Sequence, residues 1–189
     1  MRENYNNSRP EPADHAIARS RGGLTTKTHL VCDGRGRPPG FVLTGGQVAD
    51  TIMLPLAVRQ IRVPTAGRPW TKPDRLLADK GYLSRFNRAG LRARDIKVTI
   101  PERDDQIAHR RKRRGRPIKF DAAEYKGRNV VERCFNRLKR WRGIAMRSDK
   151  TARNYHAGLR VAAALLWAHT VQDKQSTITL MRTRRARRR

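Results

Sequence analysis

Residues 125–139 read YKGRNVVERCFNRLK and set one carboxylate among cations at spacings of three, four and seven residues. At about 100° per residue, Tyr125, Arg128, Glu132 and Lys139 fall within roughly 60° of one another on a helix. Val131, Phe135 and Leu138 supply an apolar stripe that anchors such a helix to a core. A lone acid on a basic helix face suits a divalent metal held beside a phosphate backbone. Asp79 is the second candidate. It follows Arg75-Leu76-Leu77-Ala78, a short apolar run that reads as a buried central strand. Open α/β sheets place their ligands at the carboxyl ends of such strands.

Carboxylates that converge on cations can serve phosphoryl transfer. One ion activates the attacking oxygen and the other stabilises the leaving one. Hard oxygen ligands with room left for phosphate and water favour magnesium. Plainer readings exist for each residue. Asp79 can begin a turn with Gly81, and Glu132 can pair with Arg128 or Arg133 for a few tenths of a kcal/mol. Arg128 and Lys139 taken singly are solvated cations. The combination carries the argument.

Composition points to the partner. The 189 residues hold 44 Lys+Arg against 16 Asp+Glu, a formal charge of +28. A sequence pI near 11.7 implies a polyanion, with nucleic acid as the default. RNA binding of ribosomal type and attachment to an anionic membrane are the other options. Hydrophobic residues make up 37% of the chain, so the core is modest and some segments are expected to stay unfolded. Cys32 and Cys134 form no CxxC pair, which argues against zinc and fits a reducing compartment. The opening MRENYNNSRPEP has no apolar stretch, so no signal peptide is expected. The longest apolar run, Val161 to Ala168, is too short for a bilayer and reads as a buried helix.

Around these residues the pattern predicts an α/β fold with a mixed sheet. Residues 1–23 read as loosely attached, 24–172 as the domain, and 173–189 as a basic unfolded tail. Thr26 to Cys32 and Phe41 to Thr44 form strands of a hairpin across the Asp33-Gly34-Arg35-Gly36 turn. Asp50 to Gln60 is helical despite Pro55. Ser84 caps a helix to about Arg94, Lys97 to Ile100 is a strand, and residues 102–119 form a mobile basic loop. Asp121 caps a long helix to about Arg142. Ala152 to Val171 is a second, with Leu159, Ala162, Ala163, Leu166 and Thr170 inward. Arg110, Arg111, Arg113 and Arg114 in the basic loop give sequence-independent phosphate contacts. The five histidines have no metal-ligand spacing and read as structural or surface residues.

Tyr-x2-Arg-x3-Glu-x6-Lys matches the signature of bacterial insertion-sequence transposases of the DDE class. The text RNVVERCFNRLKRWRGIAMRSDK resembles insertion sequence family five, as do SRGGLTTKTHLVCDGRGRP, FVLTGGQVAD and LLADKGY. The resemblance runs from about Glu11 to Val171. It implies a ribonuclease-H-like fold, magnesium or manganese, and strand cleavage and transfer at the inverted-repeat ends of double-stranded DNA. By position, Asp79 resembles the second acid of the catalytic triad and Glu132 the third. Tyr125, Arg128 and Lys139 take the places of companions expected to touch DNA near the cleaved bond.

One departure matters. The family carries its first catalytic Asp on a strand before the SRGGLTTK block, and residues 1–19 contain no such strand. Asp14, Asp33 and Asp50 are poor replacements. The expectation is a carboxy-terminal part, truncated at the first strand, that binds DNA but cleaves it poorly or not at all. The alternatives are an inactive DNA-binding remnant that competes with intact transposase, and the ribosomal-type protein, against which Asp79 and Glu132 argue. The resemblance implies target DNA, and intact transposase or a second copy, as further partners. It also implies a cytoplasmic, nucleoid-associated location.

Overall fold

The computed structural model describes residues 15–20 and 23–186; the side chains of Ser20 and residues 170–186 lie outside the description, as does Asp14. The architecture is α/β. Strands β1 (Ala18–Ser20), β2 (Gly23–Val31) and β3 (Gly40–Gly45) form an antiparallel sheet, followed by helix α1 (Asp50–Arg59). Strand β4 (Arg75–Leu77), helix α2 (Arg85–Ala93) and strand β5 (Lys97–Thr99) come next, with β4 and β5 paired in parallel. Helices α3 (Asp104–Lys112), α4 (Ala122–Tyr125), α5 (Asn129–Leu138), α6 (Arg142–Met146) and α7 (Ala152–Ala186) complete the chain.

The predicted hairpin is present, with His29 opposite Val42 and Leu30 opposite Phe41. Alternation along β2 divides the core, because successive side chains leave a strand on opposite faces. Leu30 packs with Phe41, Cys134, Leu138, Tyr155, Leu159 and Leu166, beneath α5 and α7. Val31 packs with Leu54, Val58, Ile61, Leu83, Leu91 and Ile96, beneath α1 and α2. The sheet is therefore covered by helices on both faces. Gly40 allows the close approach of α1: a Cβ there would stand 2.5 Å from the Gln60 Cβ. His29 is buried, 2.9 Å from the Tyr82 hydroxyl through Nδ1 and 3.0 Å from Thr44 Oγ1 through Nε2.

Several expectations are corrected. The mixed sheet is two sheets, because β4 finds no strand partner but β5 among the described residues. Arg75 to Leu77 is not a buried central strand: Arg75 is exposed and the two leucines are half-buried. Residues 104–112 form helix α3, where a mobile loop was expected. Asp104 and Asp105 at its first turn and His109 to Lys112 at its last complement the helix dipole without any apolar stripe. The long helix from Asp121 is interrupted by a 3-10 turn at Lys126–Arg128 and ends at Leu138. Its buried line is Cys134 and Leu138, with Val131 and Phe135 half-buried beside it. Strand β1 lies within the segment expected to be loose. Arg147, far along the chain, donates to the main-chain carbonyls of His15 and Ala16 beside it. Helix α7 continues past Val171, with Leu159, Ala162, Ala163 and Leu166 buried as expected.

Leu159→Ala should cost about 2–5 kcal/mol in denaturant unfolding, since Leu159 is 1% exposed. Leu165→Ala, at a site 53% exposed, should stay within about 0.5 kcal/mol. Burial holds His29 below the ordinary imidazole value of 6.5, against the raising effect of Asp50. The unfolded chain therefore takes up a proton first as pH falls through that value, and stability drops toward acid. His156 adds to the slope, for burial lowers it too. Unfolding free energy measured from pH 7.5 to 5.5 should decline, and His29→Gln should flatten the decline.

Candidate functional site

Asp79 stands just past the end of β4, where its extended backbone opens a 3-10 turn over Lys80–Tyr82. Its carboxylate makes no capping bond to that turn and points instead toward the α4–α5 segment. Tyr125 Oη donates to Asp79 Oδ1 at 3.3 Å, and Arg128 Nη1 stands 3.1 Å from the same oxygen. Arg128 Nη2 stands 2.9 Å from Glu132 Oε1. One guanidinium therefore joins the two acids that the sequence singled out. It lies 5.4 Å from the Tyr125 ring centroid, and Phe120 packs on that ring from 5.3 Å. The acids are half exposed, Asp79 at 57% and Glu132 at 54%, whereas Arg128 is 26% exposed.

Spacing close to that of a continuous helix makes this possible. Residues 125–129 keep right-handed helical backbone, but the turn at Lys126–Arg128 is tighter than an α-turn. Gly127 lies against β4, its Cβ position 3.5 Å from Leu77 Cδ1. The segment is fixed by Glu124, a residue the sequence reading passed over. Glu124 pairs with Arg75 on β4 and accepts from Thr99 Oγ1 on β5 at 2.7 Å. Asp121, the expected cap, accepts from the Glu124 amide at 2.9 Å. Ser84 caps α2 in the same way, accepting from Asn87 N at 3.0 Å.

Charge and burial act together around Asp79. Burial holds the Tyr82 hydroxyl up at about 12, with the carboxylates of Asp50 and Asp79 adding to it. Burial also raises Tyr125, against the opposing pull of Arg128. Tyr125 thus stays a protonated donor to Asp79 at neutral pH.

The remaining residues fall elsewhere. Lys139 does not join the acids by any described contact; its Nζ lies 5.1 Å from the Phe135 ring centroid. It lines a cavity of about 550 Å³ with Arg147, Met146 and Thr26. Arg110 is engaged by Glu102, with Nε 3.2 Å from both carboxylate oxygens. Arg111, Arg113 and Arg114 at the end of α3 are exposed. Asp33 closes the hairpin turn, accepting from the amides of Arg35 and Arg37 at 3.0 and 2.9 Å. Asp50 pairs with Lys27 at 3.0 Å and abuts Gly81. Among the described residues, no group of three or more His, Cys, Asp or Glu is arranged to hold a metal. No described helix is long and apolar enough to cross a membrane.

A family model described as the transposase DDE domain matches residues 9–167, which include Asp79, Tyr125, Arg128, Glu132 and Lys139. A protein named as transposase of insertion sequence element IS402, from Burkholderia cepacia, is 33% identical over 173 residues. That match covers 90% of this chain and 74% of the relative. One named for element IS6501, from Brucella ovis, is 29% identical over 144 residues, 76% of this chain and 98% of the relative. No solved structure matches the chain.

Glu124→Ala removes the tie between both strands and the Tyr125–Arg128 turn. It leaves Thr99, a buried residue, without its acceptor. A loss of about 1–3 kcal/mol in unfolding free energy is expected. Glu124→Gln, which keeps an acceptor for Thr99 but not the charge for Arg75, should lose less.

Proposed function

The chain belongs to the transposase DDE domain family, and we propose that Asp79 and Glu132 hold a divalent cation at which DNA strands are cleaved and joined. A role in DNA transposition comes with the family. Within it we assign the chain to insertion sequence family five, on the sequence blocks quoted above. The observation that carries the reading is the convergence of both carboxylates on one cationic group, Arg128. A place that holds a guanidinium between two acids suits a cation, and hard carboxylate oxygens suit magnesium or manganese.

A bound divalent ion supplies Lewis-acid stabilisation of charge on the phosphate and activation of the attacking oxygen. The chain's own side chains do the rest. Arg128 presents donors to a phosphodiester beside the acids, while the Tyr125 hydroxyl holds Asp79. Exposed Arg111, Arg113 and Arg114 add contacts along the backbone that position DNA without reading its sequence. The substrate proposed is double-stranded DNA at an element's inverted-repeat ends, then target DNA. A cytoplasmic, nucleoid-associated location follows from that substrate.

The two sheets fit a ribonuclease-H-like arrangement: a hairpin, a helix, then a parallel pair, with helices on both faces of the hairpin. On this reading the break between the sheets is where an acid-bearing first strand would lie. A specific observation favours the second reading, a DNA-binding chain with little cleavage of its own. No third metal-ligating residue joins Asp79 and Glu132 among the described residues, and a site with one bridging acid fewer holds its metals weakly.

The test is a duplex carrying the element's end, incubated with the purified chain and magnesium or manganese. Binding should weaken steeply with salt, its log–log slope falling by about 0.9 per phosphate contact. Changing Arg111, Arg113 and Arg114 together to Ala should reduce that slope, while Glu132→Ala should not weaken binding measured without added metal. Slow nicking that disappears in Glu132→Ala is the expected result, and no nicking at all would replace the first reading with the second. Rapid nicking abolished by Glu132→Ala would show a complete site and overturn the second reading. Nicking that persists in both Glu132→Ala and Asp79→Ala would remove these acids from the chemistry.

A further inference from the structure

The geometry points to Arg128 as an internal counter-ion that masks the metal site until DNA takes it away. This rests on the reading that Asp79 and Glu132 are metal ligands. Both terminal nitrogens of Arg128 are engaged, one with each acid, at 3.1 and 2.9 Å. The guanidinium therefore lies between the groups that a shared cation must contact. Metal–oxygen distances near ~2.1 Å cannot be reached from both acids while that group stays between them. Its single positive charge also opposes a doubly charged ion in the same place.

Arg128 has an alternative partner in DNA. Guanidinium binds phosphate through two parallel N–H bonds, the same fork geometry it offers carboxylates. Tyr125 provides a surface for the swing: its ring lies 5.4 Å from the guanidinium, and its hydroxyl holds Asp79 when Arg128 leaves. The 3-10 turn ending at Arg128 places the side chain at the junction of two helical segments. A phosphate that draws Arg128 outward exposes two half-exposed carboxylates without disturbing the core. By linkage the effect is reciprocal, so DNA tightens metal binding and metal tightens DNA binding. Arg128 is thus a positioning residue that couples the two ligands.

The test titrates Mn²⁺ into the full chain by calorimetry, with and without a short DNA duplex. The wild type is compared with Arg128→Gln and Arg128→Lys, and Asp79→Asn/Glu132→Gln with DNA gives the background. Arg128→Gln should bind Mn²⁺ about tenfold more tightly than wild type without DNA, a gain that misfolding does not produce. Arg128→Lys, which keeps the charge but loses the fork, should fall between them. DNA should raise Mn²⁺ affinity in the wild type and much less in Arg128→Gln. If Arg128→Gln binds Mn²⁺ no more tightly, while the doubly neutralised chain binds none, the acids hold metal and the mask is wrong. If Mn²⁺ binding is undetectable, or unchanged by neutralising both acids, the metal-ligand reading falls and the mask with it.

Discussion

Two carboxylates share one guanidinium, and much of the chain can be understood as what puts them there. With 44 cations against 16 acids, most carboxylates among the described residues meet a basic partner. Asp33 meets Arg37, Asp50 meets Lys27, Glu102 meets Arg110 and Glu124 meets Arg75. Each of these pairs fixes a turn, a helix start or a strand. Asp79 and Glu132 differ because they converge on Arg128 and remain half exposed. A buried ion pair stabilises weakly at best, since desolvation offsets attraction. The exposure of these two acids leaves them able to exchange one cation for another.

Convergence requires three pieces of backbone to keep a fixed spacing. Asp79 follows the end of β4, α5 carries Glu132, and the turn between α4 and α5 carries Arg128. Glu124 supplies the constraint, bonded at once to β4 through Arg75 and to β5 through Thr99. From the other end, Cys134 and Leu138 sink α5 into the core against Leu159 and Phe41. Glu132 lies two residues before Cys134, about 200° around the helix, so burying one turns the other outward.

Local chemistry in the sequence made much of this legible. The hairpin, the caps at Ser84 and Asp121 and the inward residues of α7 follow from rules that act over a few residues. Tyr125, Arg128 and Glu132 share a face because the 3-10 turn hardly disturbs helical spacing. What was hidden depends on distant partners or on missing apolar pattern. Helix α3 buries nothing, so hydrophobic periodicity could not reveal it. Strand β1 sits beside Arg147, and Glu124 depends on Arg75 and Thr99. Lys139 fits the same helical face in projection, yet seven residues of helical rise, about 10 Å, separate it from Glu132 along the axis. Cys32 packs against the core cluster that holds Cys134, 102 positions away, and a hydrogen bond between the two free thiols, with burial, pushes the Cys32 thiol up.

Net charge gives the last step. A chain of +28 repels a free divalent ion, but salt screens exposed charges over about 8 Å at physiological strength. On the proposed reading, the cations that would govern metal binding at Asp79 and Glu132 are therefore the near ones, and Arg128 is in contact with both acids. DNA bound there as proposed would bring phosphates to the same surface and change that local balance, whereas neutralising distant arginines in α3 would not. On the proposed reading, a chain this basic meets DNA first, by long-range attraction, and acquires metal second, by local exchange at Arg128. Metal held at an unoccupied basic surface would have to work against the field; metal held beside a bound phosphate works with it.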